Sequence, residues 1–138
     1  MIGTENMKGF RFIDTNVLIR LWEGKPEFVT WMQKLSEDKQ VVYVPSIVIA
    51  EIIWVLTSFY KQSRIEIKNF VETIRSTDNL KIVTKHDINK AISLYENSQI
   101  KFTDCMIASY LGENDVIVSE DHDFDKLQGV TREQIFNS

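Results

Sequence analysis

Four short runs of β-branched and aromatic residues, Phe10–Ile13, Val41–Val44, Leu80–Val83 and Val116–Val118, alternate along the chain with segments of helical periodicity. Short apolar strands separated by helices belong to the α/β class, because a parallel strand needs a crossover and is then covered on both faces. The expected architecture is a three-layer α/β/α fold around a mainly parallel sheet of four to five strands, the last an edge strand near Val130 or Phe136. Thr15 or Asn16 can cap a first helix through Val17, Leu18, Ile19 and Leu21. Phe28, Trp31, Met32 and Leu35 recur at i, i+3, i+4, i+7 behind Pro26, and Ser46 can cap a strongly apolar helix from Ile47 to about Tyr60. A further helix carries Ile67, Phe70, Val71 and Ile74, and Asp87 can cap another whose apolar face is Ile88, Ala91, Ile92 and Tyr95. Thr103 and Asp104 open the last, with Ile107, Tyr110 and Leu111 inward and Gly112 at its end.

At 138 residues the chain is expected to form a single domain that buries roughly two-thirds of its unfolded surface. The first eight or nine residues read as a frayed tail, with neither the basic start nor the apolar run of a signal peptide. The longest apolar stretch, Val41–Leu56, is broken by Pro45 and Glu51 and falls short of the ~20 residues of a membrane helix. The single cysteine, Cys105, cannot pair within the chain, which fits a reducing cytoplasm. A net charge of −4 and a pI near 5.2 argue against a broadly basic nucleic-acid surface. A nucleic-acid substrate would need a bound divalent cation to offset that acidity.

The acids carry the chemistry. Asp14 sits where the first strand turns into helix, beyond the carboxyl end of a strand, the place where open parallel sheets bind ligands. An aspartate there can equally be a helix cap. Glu51 lies among Ile47, Val48, Trp54 and Val55 on its helix, so its carboxylate must reach an edge, a cationic partner or a metal. Asp104 stands in the first turn of its helix, where the dipole favours negative charge. Asp121 and Asp123 follow a strand, in a loop reading Ser119-Glu120-Asp121-His122-Asp123-Phe124-Asp125. Together these carboxylates can converge on one sheet edge. An oxygen-only set suits Mg²⁺ or Mn²⁺ rather than zinc, since His86, His122 and Cys105 lack metal-ligand spacing.

Asp14-Thr15-Asn16-Val17-Leu18, Glu51 in an apolar helix after Val-Pro-Ser, Phe102-Thr103-Asp104-Cys105-Met106-Ile107-Ala108 and the Ser119–Asp125 loop resemble the four acidic motifs of PIN domains. More narrowly they resemble the VapC-type ribonuclease toxins, in the right order and over nearly the whole chain. The resemblance implies that Asp14, Glu51 and Asp104 are the principal metal-site acids, with Asp121 the fourth and Asp123 an accessory ligand. It implies catalytic roles for Asp14, Glu51, Asp104 and Asp121, and supporting roles for Thr15, Asn16 and Ser119. Departures are small: Cys105 stands where alanine is usual, and Ser119 where threonine is commoner.

The resemblance further implies Mg²⁺- or Mn²⁺-dependent hydrolysis of RNA with water as nucleophile, leaving a 5′-phosphate and a 3′-hydroxyl. It implies a VapB-type antitoxin partner and a homodimer as well. Arg20, Lys25, Lys85 and Lys101 are candidate phosphate contacts, and the number of aromatics at Trp22, Trp31, Trp54, Phe59 and Tyr60 suggests a surface shared with a partner. A haloacid-dehalogenase-like phosphatase is disfavoured by Asn16, where a second aspartate is needed. A receiver domain is disfavoured by Phe12-Ile13, where an acidic pair is needed. A cysteine hydrolase on Cys105 lacks an identifiable base. Another PIN nuclease, acting on ribosomal RNA precursors or DNA, or a catalytically weak binding module stays open as the alternative.

Overall fold

The computed structural model describes residues 9–135, so the expected amino-terminal tail and Phe136 lie outside the described residues. Five strands, β1 (Arg11–Ile13), β2 (Val42–Pro45), β3 (Leu80–Val83), β4 (Val116–Val118) and β5 (Thr131–Glu133), form one parallel sheet in the order β3-β2-β1-β4-β5. The connections are α1 (Thr15–Trp22) and α2 (Pro26–Glu37), then α3 (Ser46–Ser58) and α4 (Arg64–Ser76), then α5 (Ile88–Glu96) and α6 (Phe102–Ala108). A 3₁₀ turn, His122–Lys126, joins β4 to β5. Side chains alternate across a strand, yet Phe12 and Ile13 are both buried, as are Ile117 and Val118. Both faces of the central strands are therefore covered, the signature of a three-layer α/β/α sandwich.

The strand order sets where a site can form. From β1 the chain steps outward to β2 and β3, then returns to place β4 on the other side of β1. Connections leave β1 and β4 in opposite senses, which opens a crevice beyond their carboxyl ends. Register pairs Ile13 with Val118, and the Asp14 amide donates to the Val118 carbonyl at 3.0 Å. Asp14 and Ser119 are thereby the first residues past the sheet on adjacent strands. Buried Phe124 and Leu127 anchor the segment that follows β4. At the other side of the crevice, the Tyr110 hydroxyl shares a 2.8 Å hydrogen bond with Ser46 Oγ and accepts one from the Ile47 amide at 3.3 Å. That contact ties the start of α3, which carries Glu51, to the turn after α6, which carries Asp104.

Several local expectations are corrected. Asp14, not Thr15 or Asn16, is the N-cap of α1, its side chain accepting from the Thr15 amide. Ser46 is inside α3, behind Pro45 at the cap, and its hydroxyl goes to Tyr110 instead. The helix expected to reach Leu111 stops at Ala108, and Tyr110 and Leu111 are buried from the turn beyond it. On α5 the inward residues are Ala91 and, in part, Leu94, while Ile88, Ile92 and Tyr95 are exposed. Of the apolar face expected on α5 only Ala91 is buried, and half-buried Leu94 was missed. The Ser119–Asp125 segment, expected as a loop, holds the 3₁₀ turn. Of the five aromatics suggested as a shared surface, Trp22, Trp31 and Tyr60 pack partly against the core, and Trp54 and Phe59 are the exposed ones.

Candidate metal centre

Asp14 reaches its position because β1 ends in the centre of the sheet and α1 begins at once. Its Oδ1 accepts from the Thr15 amide at 2.7 Å, and its Oδ2 accepts from Ser119 Oγ at 2.7 Å and Asn16 Nδ2 at 3.1 Å. Ser119 Oγ in turn accepts from the Asp121 amide at 2.9 Å, and Asp121 Oδ1 accepts from the Asp123 amide at 2.9 Å. Asp121 thus caps the 3₁₀ turn as Asp14 caps α1. Thr15 Oγ1 donates to Glu51 Oε1 at 2.7 Å, which resolves the question raised by a glutamate on an apolar helical face: Glu51 leans to the crevice edge. The three residues expected to support the site, Thr15, Asn16 and Ser119, each hydrogen-bond at least one of these acids.

Asp14, Glu51, Asp104 and Asp121 line one cleft, together with Arg20 and Lys101. Asp104, Asp121 and Asp123 each offer an oxygen within 4.8 Å of the others. Asp14 and Glu51 line the same cleft as Asp104 and Asp121. Of the basic residues considered for phosphate contacts, Arg20 and Lys101 line the cleft, whereas Lys25 and Lys85 do not. Arg20 is already paired with Glu23 at 2.8 Å.

Negative charge outweighs positive here: Lys101 lines the cleft and Lys126 pairs with Asp123 at 3.3 Å, against five carboxylates. Burial pushes Asp14 from 3.8 up to about 6 against the lowering effect of the Ser119 and Thr15 hydrogen bonds, and Glu51 and Asp121 push it further. Asp104, only 3% exposed, is driven by burial from 3.8 up to about 7; Lys101 opposes the rise, and Asp14, Asp121 and Glu51 add to it. Asp104 Oδ2 is buried with no hydrogen-bond partner among the described residues, a costly state for a carboxylate. A hard divalent cation among these oxygens would supply the missing partner and remove the repulsion, and the all-oxygen donor set suits such an ion. Cys105, by contrast, is buried, its thiol pushed up by desolvation and turned to the Ile100 carbonyl at 3.7 Å, which leaves it inert as a nucleophile.

The cleft belongs to a known class of domain. The family model for the PIN domain matches residues 11–130. The chain belongs to the PIN-domain family. A VapC ribonuclease from Aquifex aeolicus (strain VF5) is 33% identical over 100 residues, spanning 70% of this chain and 74% of that protein. The PIN fold is also shared with the crystal structure of DNA-bound VapBC from Salmonella typhimurium, at 17% identity and a TM-score of 0.73, covering 93% of this chain and 99% of that one. VapBC2 from Rickettsia felis, solved with a DNA fragment from its promoter, gives 18% identity, a TM-score of 0.68 and coverage of 91% and 98%.

One part of this PIN domain's site was not read from the sequence. Arg132 on β5 donates to both Asp125 oxygens at 3.0 and 3.1 Å and to the Ser119 carbonyl at 3.0 Å, with His122 Nδ1 at 3.0 Å. These contacts bracket the segment that presents Asp121 and Asp123. An arginine in an edge strand outside every acidic motif carries no sequence signal of that role.

The buried acids predict how stability depends on pH in the metal-free protein. Because the folded carboxyls hold their protons to higher pH than the unfolded ones, the folded state binds more protons between about pH 4 and 7. Their favourable contribution is complete below pH 4 and is lost as pH rises through the values of about 6 and 7 for Asp14 and Asp104. Thermal unfolding in chelator should therefore show Tm falling from pH 5 to pH 8, and Asp104→Asn should flatten that fall and match or exceed the parent at pH 8. A Tm that rises over this range, or an Asn variant that is less stable at pH 8, contradicts the crowded-carboxylate geometry.

Proposed function

We propose that this PIN-domain protein is a Mg²⁺- or Mn²⁺-dependent endoribonuclease and the toxin of a VapBC-type toxin–antitoxin pair. The observation that carries the proposal is the convergence of Asp104, with its unpartnered buried oxygen, on Asp121 and Asp123 beside Asp14 and Glu51. The ribonuclease named among its relatives supports the activity, and the VapBC complexes among its structural neighbours support a VapB-type partner. The whole chain is read as a single PIN domain acting in the cytoplasm; among the described residues no helix is long and apolar enough to cross a membrane.

Asp104, Asp121 and Asp123 would hold the ion, with Asp14 and Glu51 completing its surroundings. Such an ion supplies Lewis acidity and a water of lowered pKa at neutral pH. Asp14 is held rigidly by Thr15, Asn16 and Ser119, so its carboxylate is aimed before substrate arrives. Glu51, half-buried and held by Thr15, lines the cleft, where its carboxylate would accept a proton from the attacking water. Lys101 lies at the cleft edge, where it can meet a phosphate oxygen.

A homodimer is part of the proposal. Ile88, Ile92, Tyr95 and Phe102 remain exposed on and beside α5, with Tyr95 and Phe102 stacked edge to face at 5.5 Å, an apolar patch of the kind that marks an interface.

Purified protein should cut RNA when Mg²⁺ or Mn²⁺ is present, stop in excess chelator, and leave products with a 3′-hydroxyl. Full cleavage in chelator, or cyclic phosphate ends, overturns the metal-dependent route. Light scattering at micromolar concentration should give twice the 16.1 kDa chain mass; the mass of one chain removes the dimer.

A further inference from the structure

Arg132 has no donor to spare. Its Nε donates to Asp125 Oδ1 at 3.0 Å, its Nη2 to Asp125 Oδ2 at 3.1 Å and His122 Nδ1 at 3.0 Å, and its Nη1 to the Ser119 carbonyl at 3.0 Å and Gln134 Oε1 at 3.3 Å. A guanidinium carries five N–H donors in a fixed plane, so every one is engaged, and the side chain is only 9% exposed. Tying β5 to the sheet does not require this. The strand is already paired with β4 along its length, the Ser119 amide donates to the Glu133 carbonyl at 3.1 Å, and Arg11 meets Glu133 at 3.0 Å. All but the Gln134 bond reach instead to the segment Ser119–Asp125, gripping it at both ends. Asp121 and Asp123 lie between those ends, and each approaches Asp104 within 4.8 Å, oxygen to oxygen. Without a cation these like charges push the segment outward, toward water. Ser119 transmits the hold against that push: with its carbonyl and amide fixed by β5, its Oγ donates to Asp14 Oδ2 at 2.7 Å and accepts from the Asp121 amide at 2.9 Å, and Asp121 Oδ1 accepts from the Asp123 amide at 2.9 Å.

We propose that Arg132 is a positioning residue for the metal centre: by clamping Ser119–Asp125 it keeps Asp121 and Asp123 beside Asp104 before a cation arrives, and thereby sets how tightly the cation binds. The inference rests on the metal-centre reading above and adds a residue that touches neither the cation nor the substrate. Order that exists before binding is not lost on binding, so a held segment gives a higher affinity than a free one. Groups that orient metal ligands from behind commonly change affinity by about 10- to 100-fold when removed. The role calls for arginine and not for positive charge alone. A lysine ammonium is a compact charge with three donors and no plane, so it cannot hold both Asp125 oxygens, His122 and the Ser119 carbonyl at once.

The test is calorimetric titration of Mn²⁺ into the metal-free full chain, with thermal unfolding in chelator measured on the same samples. Arg132→Gln should bind Mn²⁺ about tenfold more weakly than the parent, and Arg132→Lys should recover little of that loss. Asp125→Asn, at the other end of the same bonds, should weaken binding in the same direction, and the two changes together should cost less than their sum because they remove one contact. Arg11→Gln loosens β5 through Glu133 but leaves Ser119–Asp125 untouched, so it should keep the parent's affinity. Amide hydrogen exchange without metal gives a second readout: the Asp121 and Asp123 amides should exchange faster in Arg132→Gln, while the Asp14 amide, bonded to the Val118 carbonyl, should not. Unchanged Mn²⁺ affinity in Arg132→Gln, full recovery by lysine, or an equal loss in Arg11→Gln overturns the proposal and leaves Arg132 as a tie for the edge strand. Should Arg132→Gln not fold, Asp125→Asn, whose side chain is 48% exposed, decides by the same criterion. A parent that binds no Mn²⁺ saturably removes the metal-centre reading itself; a parent that binds while every clamp variant matches it removes only the clamp.

Discussion

Four carboxylates share a cleft at the end of a parallel sheet, and one of them, Asp104, is buried with an oxygen that no group among the described residues satisfies. Folding alone does not favour this arrangement. Burial raises Asp14 and Asp104, and each neighbouring acid raises them again. Natural proteins hold such repulsion at sites where a ligand relieves it. The rest of the structure serves to keep the acids in place: paired backbone at the ends of β1 and β4, the Thr15, Asn16 and Ser119 hydrogen bonds, and Arg132 behind the 3₁₀ turn.

The topology explains why so few residues suffice. Reversal of strand order between β1 and β4 brings residues more than 100 positions apart into contact, as in the 2.7 Å hydrogen bond from Ser119 Oγ to Asp14 Oδ2. Helices α3 and α6 then supply Glu51 and Asp104, and Tyr110 joins the start of α3 to the turn that follows α6. Sheet, cap and site are one construction here. Asp14 is both the N-cap of α1 and a wall of the cleft, so the choice between a capping aspartate and a functional one was never exclusive.

Much of this was legible in the residues. Short β-branched runs between amphipathic segments announce a parallel sheet, and acids directly after two such runs point to the crevice. Glu51 on an apolar face signalled an edge or a metal, and Thr15 now shows which edge. Other features depend on partners far away in sequence. The approach of Asp104 to Asp121 and Asp123, within 4.8 Å oxygen to oxygen, joins segments that no local pattern links. Arg132 has no local pattern at all. Exposure of Ile88, Ile92 and Tyr95 could not be read from periodicity, which finds an apolar stripe without saying what covers it.

The central claim is that the crowded acids are a cation site centred on Asp104. Isothermal titration of Mn²⁺ into the metal-free protein tests it directly, with Asp104→Asn and the exposed-loop control Lys85→Ala alongside. Saturable binding by the parent and the control, weakened by at least an order of magnitude in Asp104→Asn, is the expected result. Equal affinity in all three proteins, or no saturable binding by the parent, would contradict it.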